Sequence, residues 1–232
     1  MALDRARVVK AAIDLLDEVG LDGLTLRRLA KVLGVQAPAL YWHFKSKQEL
    51  LDQMIATIVA TQAPIRPPER GESWDAWLAD QARVMHTALD SHRDGALLGA
   101  MTRPQQRQWA DIEARVAVLV DAGMTAGQAL DAMLAIRNYV SGFTLEQQAD
   151  RSRRAAPTTD DADATSSSTG QPDPASDSRV DSAPPGSAPA FDGYPNLSEA
   201  VREIGDPQSD RSFEAGLGVI LDGLRQRVRI SA

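Results

Sequence analysis

The 232-residue chain has no cysteine, which excludes a disulfide framework, a thiol nucleophile and a thiolate metal site and is compatible with a reducing compartment. Long apolar runs are missing as well. None approaches the roughly 20 residues needed to span a bilayer, and the N-terminal "MALDRARVVKAAIDLLDEVG" carries charge throughout the stretch that a signal peptide keeps apolar. The expectation is a cytoplasmic protein with no membrane partner. Imidazole is scarce: His43, His86 and His92 are the whole supply. No glycine-rich phosphate loop and no metal-ligand spacing occurs, so no catalytic residue, metal site or cofactor is expected. Ser91, His92 and Asp94 set a hydroxyl, an imidazole and a carboxylate in one short stretch, but sequence neighbours cannot all converge on one reacting atom. A cap at a helix end is the expected role, and the chain is not expected to be an enzyme.

Aromatic residues make up only 5% of the chain, yet residues 34–47, "GVQAPALYWHFKSK", place Tyr41, Trp42, His43 and Phe44 side by side and end on two lysines. The net charge of -7 argues against a nucleic-acid partner only if it is averaged over the whole chain. Residues 1–50 hold eight cations against six anions, which leaves 17 cations and 26 anions for the remainder. A mildly basic head on an acidic body permits DNA binding by the head alone.

The head reads as helices with no strand signal between them. Val8, Val9, Ala12, Ile13, Leu16 and Val19 follow helical spacing, and Gly20 supplies a stop. Thr25 caps a second helix with Leu26, Leu29, Ala30 and Leu33 inward, closed by Gly34. Pro38 suits the first turn of a short third helix running to about Phe44. Ser46 and Glu49 form a capping box that starts a fourth helix at Lys47. The three prolines of "APIRPPERGES" break the pattern. Helices are then expected over 74–92, 105–122 and 126–148, with a last apolar helix in "SFEAGLGVILDGLRQRV". Residues 151–190 contain no Leu, Ile, Met or aromatic and are dominated by Ser, Asp, Ala, Pro and Thr. Such a composition cannot offset the entropy of ordering, so a disordered insert is expected.

Two short helices joined by a glycine turn, "TLRRLAKVLG" and "VQAPALYWHF", match a helix-turn-helix, whose second helix enters the major groove of double-stranded DNA. Gln36, Ala37, Pro38 and Ala39 would lead into the groove. Tyr41 and His43 can donate to phosphates, and Trp42 can pack on sugar. Lys45 and Lys47 sit where cations and free amides both favour phosphate. Arg27, with Arg28 beside it, is the candidate for a bidentate guanine contact. Leu40 and Phe44 are expected to pack a core.

Here the sequence resembles the tetracycline-repressor family. "LDEVGLDGLTLRRLAKVLGV" and "LYWHFKSKQELLD" look like that family's DNA-binding domain, and "GESWDAWLADQARVMHTALDSHRDGALLGAMTRP", the "LE" of "FTLEQQ" and the last helix resemble the regulatory domain of the tetracycline repressors. The resemblance implies an all-α protein with an N-terminal helix-turn-helix domain, residues 1–47, and a larger helical regulatory and dimerisation domain, residues 48–232. It implies a homodimer that binds a palindromic operator and is released by a small-molecule effector. Much of the interface would come from the segment before helix 126–148 and from residues 211–228, with helix 126–148 itself lining the pocket. A ligand-binding dimer without operator binding is the alternative.

Carried over by position, the resemblance puts Gln81, Met85, Thr102, Arg103, Pro104, Trp109, Arg115, Asn138 and Glu146 around the effector. Met85 and Trp109 read equally as core, and Arg115 with Glu146 as an ion pair. Tetracycline repressors hold their drug as a magnesium chelate through imidazoles. This chain has Gly99, Ala63 and Asn138 at those positions, which leaves Glu146 without partner ligands. The effector expected here is largely apolar, is not magnesium-tetracycline, and uses Arg115 or Arg103 for an acidic or carbonyl group.

Overall fold

The computed structural model describes residues 3–64, 66–155 and 193–231, the last three of these as backbone only. All regular structure among the described residues is helical. The chain divides into two compact units, residues 1–148 with 208–232, and residues 149–207.

In the first unit, α1 (Arg5–Gly23) starts at Asp4, whose carboxylate accepts the Arg7 amide at 2.8 Å. Gly20, the expected stop, sits at φ +71° and breaks the helix into a short second piece. α2 (Leu26–Leu33) is capped by the Thr25 hydroxyl and closed by Gly34 at φ +68°, with the Val35 amide reaching back to Ala30. α3 (Ala37–Tyr41) is shorter than the expected run to Phe44, because Phe44 is drawn into the core at 1% exposure. α4 (Lys47–Gln62) begins at Ser46, whose hydroxyl accepts the Glu49 amide at 3.1 Å. Glu49 does not complete the reciprocal box. Its carboxylate accepts the Lys45 amide at 2.7 Å and the Arg5 guanidinium at 2.9 Å.

The body follows with α5 (Trp74–Asp90), α6 (Gly95–Ala100), a 3-10 turn at Gln106–Gln108, α7 (Trp109–Asp121) and α8 (Ala126–Ala155). α6 escaped the sequence reading because "GALLGA" is too short and too uniformly apolar to show a period. α8 runs past the expected end at 148. No Gly or Pro interrupts residues 149–155, and Asp150 pairs with Arg154 at 2.7 Å one turn on, so residues 151–155 extend the helix. The rest of the expected insert, residues 156–190, lies outside the described residues. In the second unit α9 (Pro195–Ile204) opens on proline in its first turn and stops at Gly205, φ +72°. α10 (Asp210–Ser231) closes the chain.

Two apolar cores build the first unit. One joins α1–α4, through Leu16, Leu29, Leu40, Phe44, Leu50, Met54 and Ile58, and takes in Ala88 and Leu98 from the body, so it runs well past residue 47. The other gathers Trp77, Leu119, Ala132, Val140, Phe213 and Leu217 from α5, α7, α8 and α10. Within it the Tyr139 hydroxyl donates to the Phe213 carbonyl at 2.7 Å, and Gly216 lets α10 approach so closely that a Cβ there would collide with that hydroxyl. The proline-rich loop after α4 is fastened by Arg66, which pairs with both Glu72 oxygens at 2.7 Å and with Asp80 at 3.0 Å, while the buried Trp77 indole donates to the Arg66 carbonyl at 2.9 Å.

Candidate nucleic-acid interface and ligand cleft

The outer surface of the head follows from how its core residues point. Leu29 and Ala30 of α2 and Leu40 of α3 face inward, which turns Arg27, Lys31, Gln36 and Pro38 to solvent and leaves Ala37 and Ala39 partly covered. Trp42 is 90% exposed and Tyr41 56% exposed, an unusual display for side chains of that apolar area. His43 is partly covered, and Lys45 and Lys47 are exposed at the entry to α4. Arg28 is less free than its neighbour, since its guanidinium donates to the Gly23 carbonyl at 3.2 Å. Arg5, which the sequence reading passed over, sets the corner before α4. Its guanidinium lies 4.3 Å over the Phe44 ring, donates to the His43 carbonyl and pairs with Glu49. The aromatic run therefore divides, with Phe44 and Leu40 anchoring and Tyr41 and Trp42 presented outward.

The head is tied to the body at the turn between α5 and α6. Asp94, itself at φ +55°, accepts the Leu21 amide at 2.8 Å. His92 Nδ1 lies 2.9 Å from Asp17, and the Arg93 amide donates to the same carboxylate at 3.0 Å. His92 Nε2 faces Gln62 at 2.9 Å, and the Ser91 hydroxyl bonds that glutamine at 2.7 Å. Ser91 and His92 thus share Gln62 of α4, while His92 also turns to Asp17 and Asp94 to the Leu21 amide of α1, in structural roles.

A cleft of about 340 Å³ opens between α4 and the start of α7. Gln53, Ala56, Thr57, Ala60 and Pro64 line one wall; Arg107, Gln108, Asp111 and Arg115 line the other. Arg115 is mostly buried, and its Nε has no hydrogen-bond partner. Burial lowers the guanidinium's affinity for its proton, partly offset by Asp111 one turn earlier.

The comparisons with known proteins decide the family. Residues 8–54 match "Bacterial regulatory proteins, tetR family" and residues 67–228 match "Tetracyclin repressor-like, C-terminal domain". The chain belongs to the tetR family. It is 37% identical over 220 residues to the tetracycline repressor protein class A from transposon 1721 of Escherichia coli, covering 95% of this chain and 89% of that protein. A possible TetR family transcriptional regulator from Streptomyces coelicolor A3(2) superposes with a TM-score of 0.72 at 33% identity, covering 96% of this chain and 99% of the other. TetR(class A) in complex with 5a,6-anhydrotetracycline and magnesium superposes with a TM-score of 0.67 at 32% identity, covering 97% and 99%. The tetR family consists of transcriptional regulators, not enzymes; its members bind operator DNA and small-molecule effectors and are dimers. Among the described residues no helix is long and apolar enough to cross a membrane.

The nine expected effector residues of this tetR-family body are spread over α5, the segment between α6 and the 3-10 turn, α7 and α8. Arg115 alone lines the cleft. Gln81 and Met85 are half-buried on α5, Met85 against the second core. Thr102 is buried, but its hydroxyl donates to Leu98 and Gly99 carbonyls and closes α6. Arg103 and Pro104 are exposed, Trp109 is 60% exposed, and Asn138 and Glu146 lie on the outer face of α8. Among the described residues no carboxylate forms an ion pair with Arg115, so the expected alternative of an Arg115–Glu146 pair is not formed, and Trp109 is not core. Gln53, Thr57, Arg107, Gln108 and Asp111 were missed, because α4 and the "QQRQW" stretch carry no signal of a cavity until α7 packs beside them. The residues at the positions expected of a magnesium site do not fit the ion. Ala63 is buried, a side chain at Gly99 would point at Leu89 and Ile55, and Asn138 and Glu146 are exposed.

Proposed function

We propose that this chain is a homodimeric transcriptional repressor that binds a palindromic operator through the α2–α3 face and leaves it when a small molecule enters the body without a metal. The observation that carries the reading is the pairing of an outward Tyr41–Trp42 display and unpaired Arg27 with a separate cleft, the two joined by α4. Gln36 to Ala39 enter the groove, Arg27 reads a base, and Tyr41, Trp42, His43, Lys45 and Lys47 engage the backbone, with Arg28 steadying the end of α1.

Release is a matter of linkage: an effector displaces DNA only by the difference between its affinities for the two states of the body. The cleft wall is α4, which also carries the head's core residues Leu50, Met54 and Ile58. Any shift of α4 that accommodates a ligand moves the head with it.

Dimerisation is supported by α8, where Leu130, Leu134 and Leu145 fall on one exposed stripe beside Asn138, and by Val219 of α10, 74% exposed. The partner chain would complete the pocket around Trp109, Asn138 and Glu146. The reading is tested by mobility shift with DNA from upstream of the gene, together with light scattering. A dimer that shifts a palindromic fragment is the expected result. A dimer indifferent to that DNA would favour the ligand-binding dimer without operator binding, and a monomer would contradict both.

A further inference from the structure

We infer that the molecule taken up by the α4–α7 cleft is an amphipathic anion, whose carboxylate or equivalent acidic group is read by Arg115. This rests on the cleft being the effector site of a repressor. Arg107, Asp111 and Arg115 follow at four-residue intervals along the 3-10 turn and α7, so all three project to the same wall. Two guanidiniums against one carboxylate leave that wall cationic.

The distribution of hydrogen-bond donors sharpens the point. On the α4 wall the Thr57 hydroxyl donates to the Gln53 carbonyl and the Thr61 hydroxyl to the Thr57 carbonyl, both at 2.8 Å, so their protons are engaged. What α4 offers a ligand is mainly acceptor oxygens and the methyl groups of Ala56 and Ala60, since the Gln53 NH₂ is partly engaged on the Thr57 hydroxyl at 3.4 Å. Free donors come from the opposite wall. Gln108 uses its carbonyl oxygen on the Gln105 amide at 2.8 Å, which leaves its NH₂ group available. Arg107 and Arg115 have no ion-pair partner among the described residues. A buried guanidinium nitrogen without a partner is costly to keep. A planar, bidentate acceptor is the group that relieves it, and a carboxylate matches the fork of Arg115 while its apolar body lies along α4.

The test uses the full chain and two probes that share one ring system, anthracene-9-carboxylate and anthracene-9-carboxamide, titrated by fluorescence into the parent, Arg115→Met, Arg115→Lys and Ala60→Trp. The parent should bind the carboxylate about tenfold more tightly than the amide. Arg115→Met should bring the two within about twofold while still binding the amide, which shows that the cleft is intact; Arg115→Lys should keep part of the preference. Ala60→Trp, which fills the cleft, should weaken both. Equal affinities in the parent, no carboxylate binding at millimolar concentration, or a preference that survives Arg115→Met would overturn the inference. A mobility shift on the same samples separates the two readings. Carboxylate binding through Arg115 that leaves DNA bound keeps the anion site and removes its role as effector site. Release of DNA by the amide as readily as by the acid keeps the repressor and removes the anion.

Discussion

Asp94 Oδ2 accepts the backbone amide of Leu21 at 2.8 Å, a bond between the α5–α6 turn and the far end of α1. The amide is available because Gly20 leaves the helix at φ +71°, and a side chain at Gly20 would lie 2.7 Å from that same oxygen. Each end of the contact thus depends on an unusual backbone, glycine on the head and an aspartate at φ +55° on the body. Asn and Asp tolerate that region better than other side chains. Asp94→Ala should cost about 1–3 kcal/mol through the orphaned amide and added strain. Asp94→Asn should recover much of that stability. Thermal melts of the two variants check the stability, and operator affinity measured in parallel should fall more for alanine.

Arg27→Ala should weaken specific operator binding by about 1–3 kcal/mol and leave the melting temperature alone, because the side chain is exposed and holds nothing. Lys47→Ala should weaken binding to every sequence and flatten its salt dependence. Arg5→Ala should lower the melting temperature as well as DNA affinity, since Arg5 braces Phe44 and Glu49. Anisotropy titrations at three salt concentrations separate the three behaviours.

Leu134→Lys places a charge in the exposed stripe of α8, where Leu134 is 40% accessible. The expected outcome is a folded monomer, seen as an unchanged helical spectrum with half the mass by light scattering. An intact dimer would move the interface away from α8.

The Arg66 guanidinium, with the Glu69 amide, holds the Glu72 carboxyl down from 4.5 to about 2. A depressed folded-state value means that the contribution is fully present above the unfolded value and is lost as pH falls toward 2. The melting temperature of the parent should therefore drop between about pH 5 and pH 2, and Glu72→Gln should lower it near neutrality and make that acid limb shallower. The pair is partly open to water, so added salt should reduce the difference between the two proteins.

How much of this was legible beforehand depends on the range of the forces involved. The caps at Thr25 and Ser46, the stops at Gly20 and Gly34 and the proline in the first turn of α3 are local devices, and the sequence announced each one. The same holds for the division of the aromatic run, since the period that buries Leu40 and Phe44 turns Tyr41 and Trp42 outward. Contacts between distant segments were hidden. Nothing near Arg5 signals Glu49, nothing near Asp17 signals His92, and Asp94 meets Leu21 only once α6 exists, a helix without visible period. The cleft illustrates the limit: Arg115, expected by resemblance to lie beside an effector, does line it, but the α4 wall opposite emerges only from packing. Asn138, Glu146 and Trp109 stay exposed in one chain, so the place proposed for them beside a ligand depends on a second.

Magnesium-tetracycline added to the protein on its own operator tests the central claim most directly, read by mobility shift at micromolar drug with and without a chelator. The expected result is a dimer bound to the palindrome that the drug does not release, because Gly99 supplies no imidazole for the metal and Ala63 none to grip the drug, with Asn138 in place of a third histidine. Release by the drug with magnesium, reversed by the chelator, would contradict the metal-free effector, and failure to bind the palindrome at all would contradict the repressor.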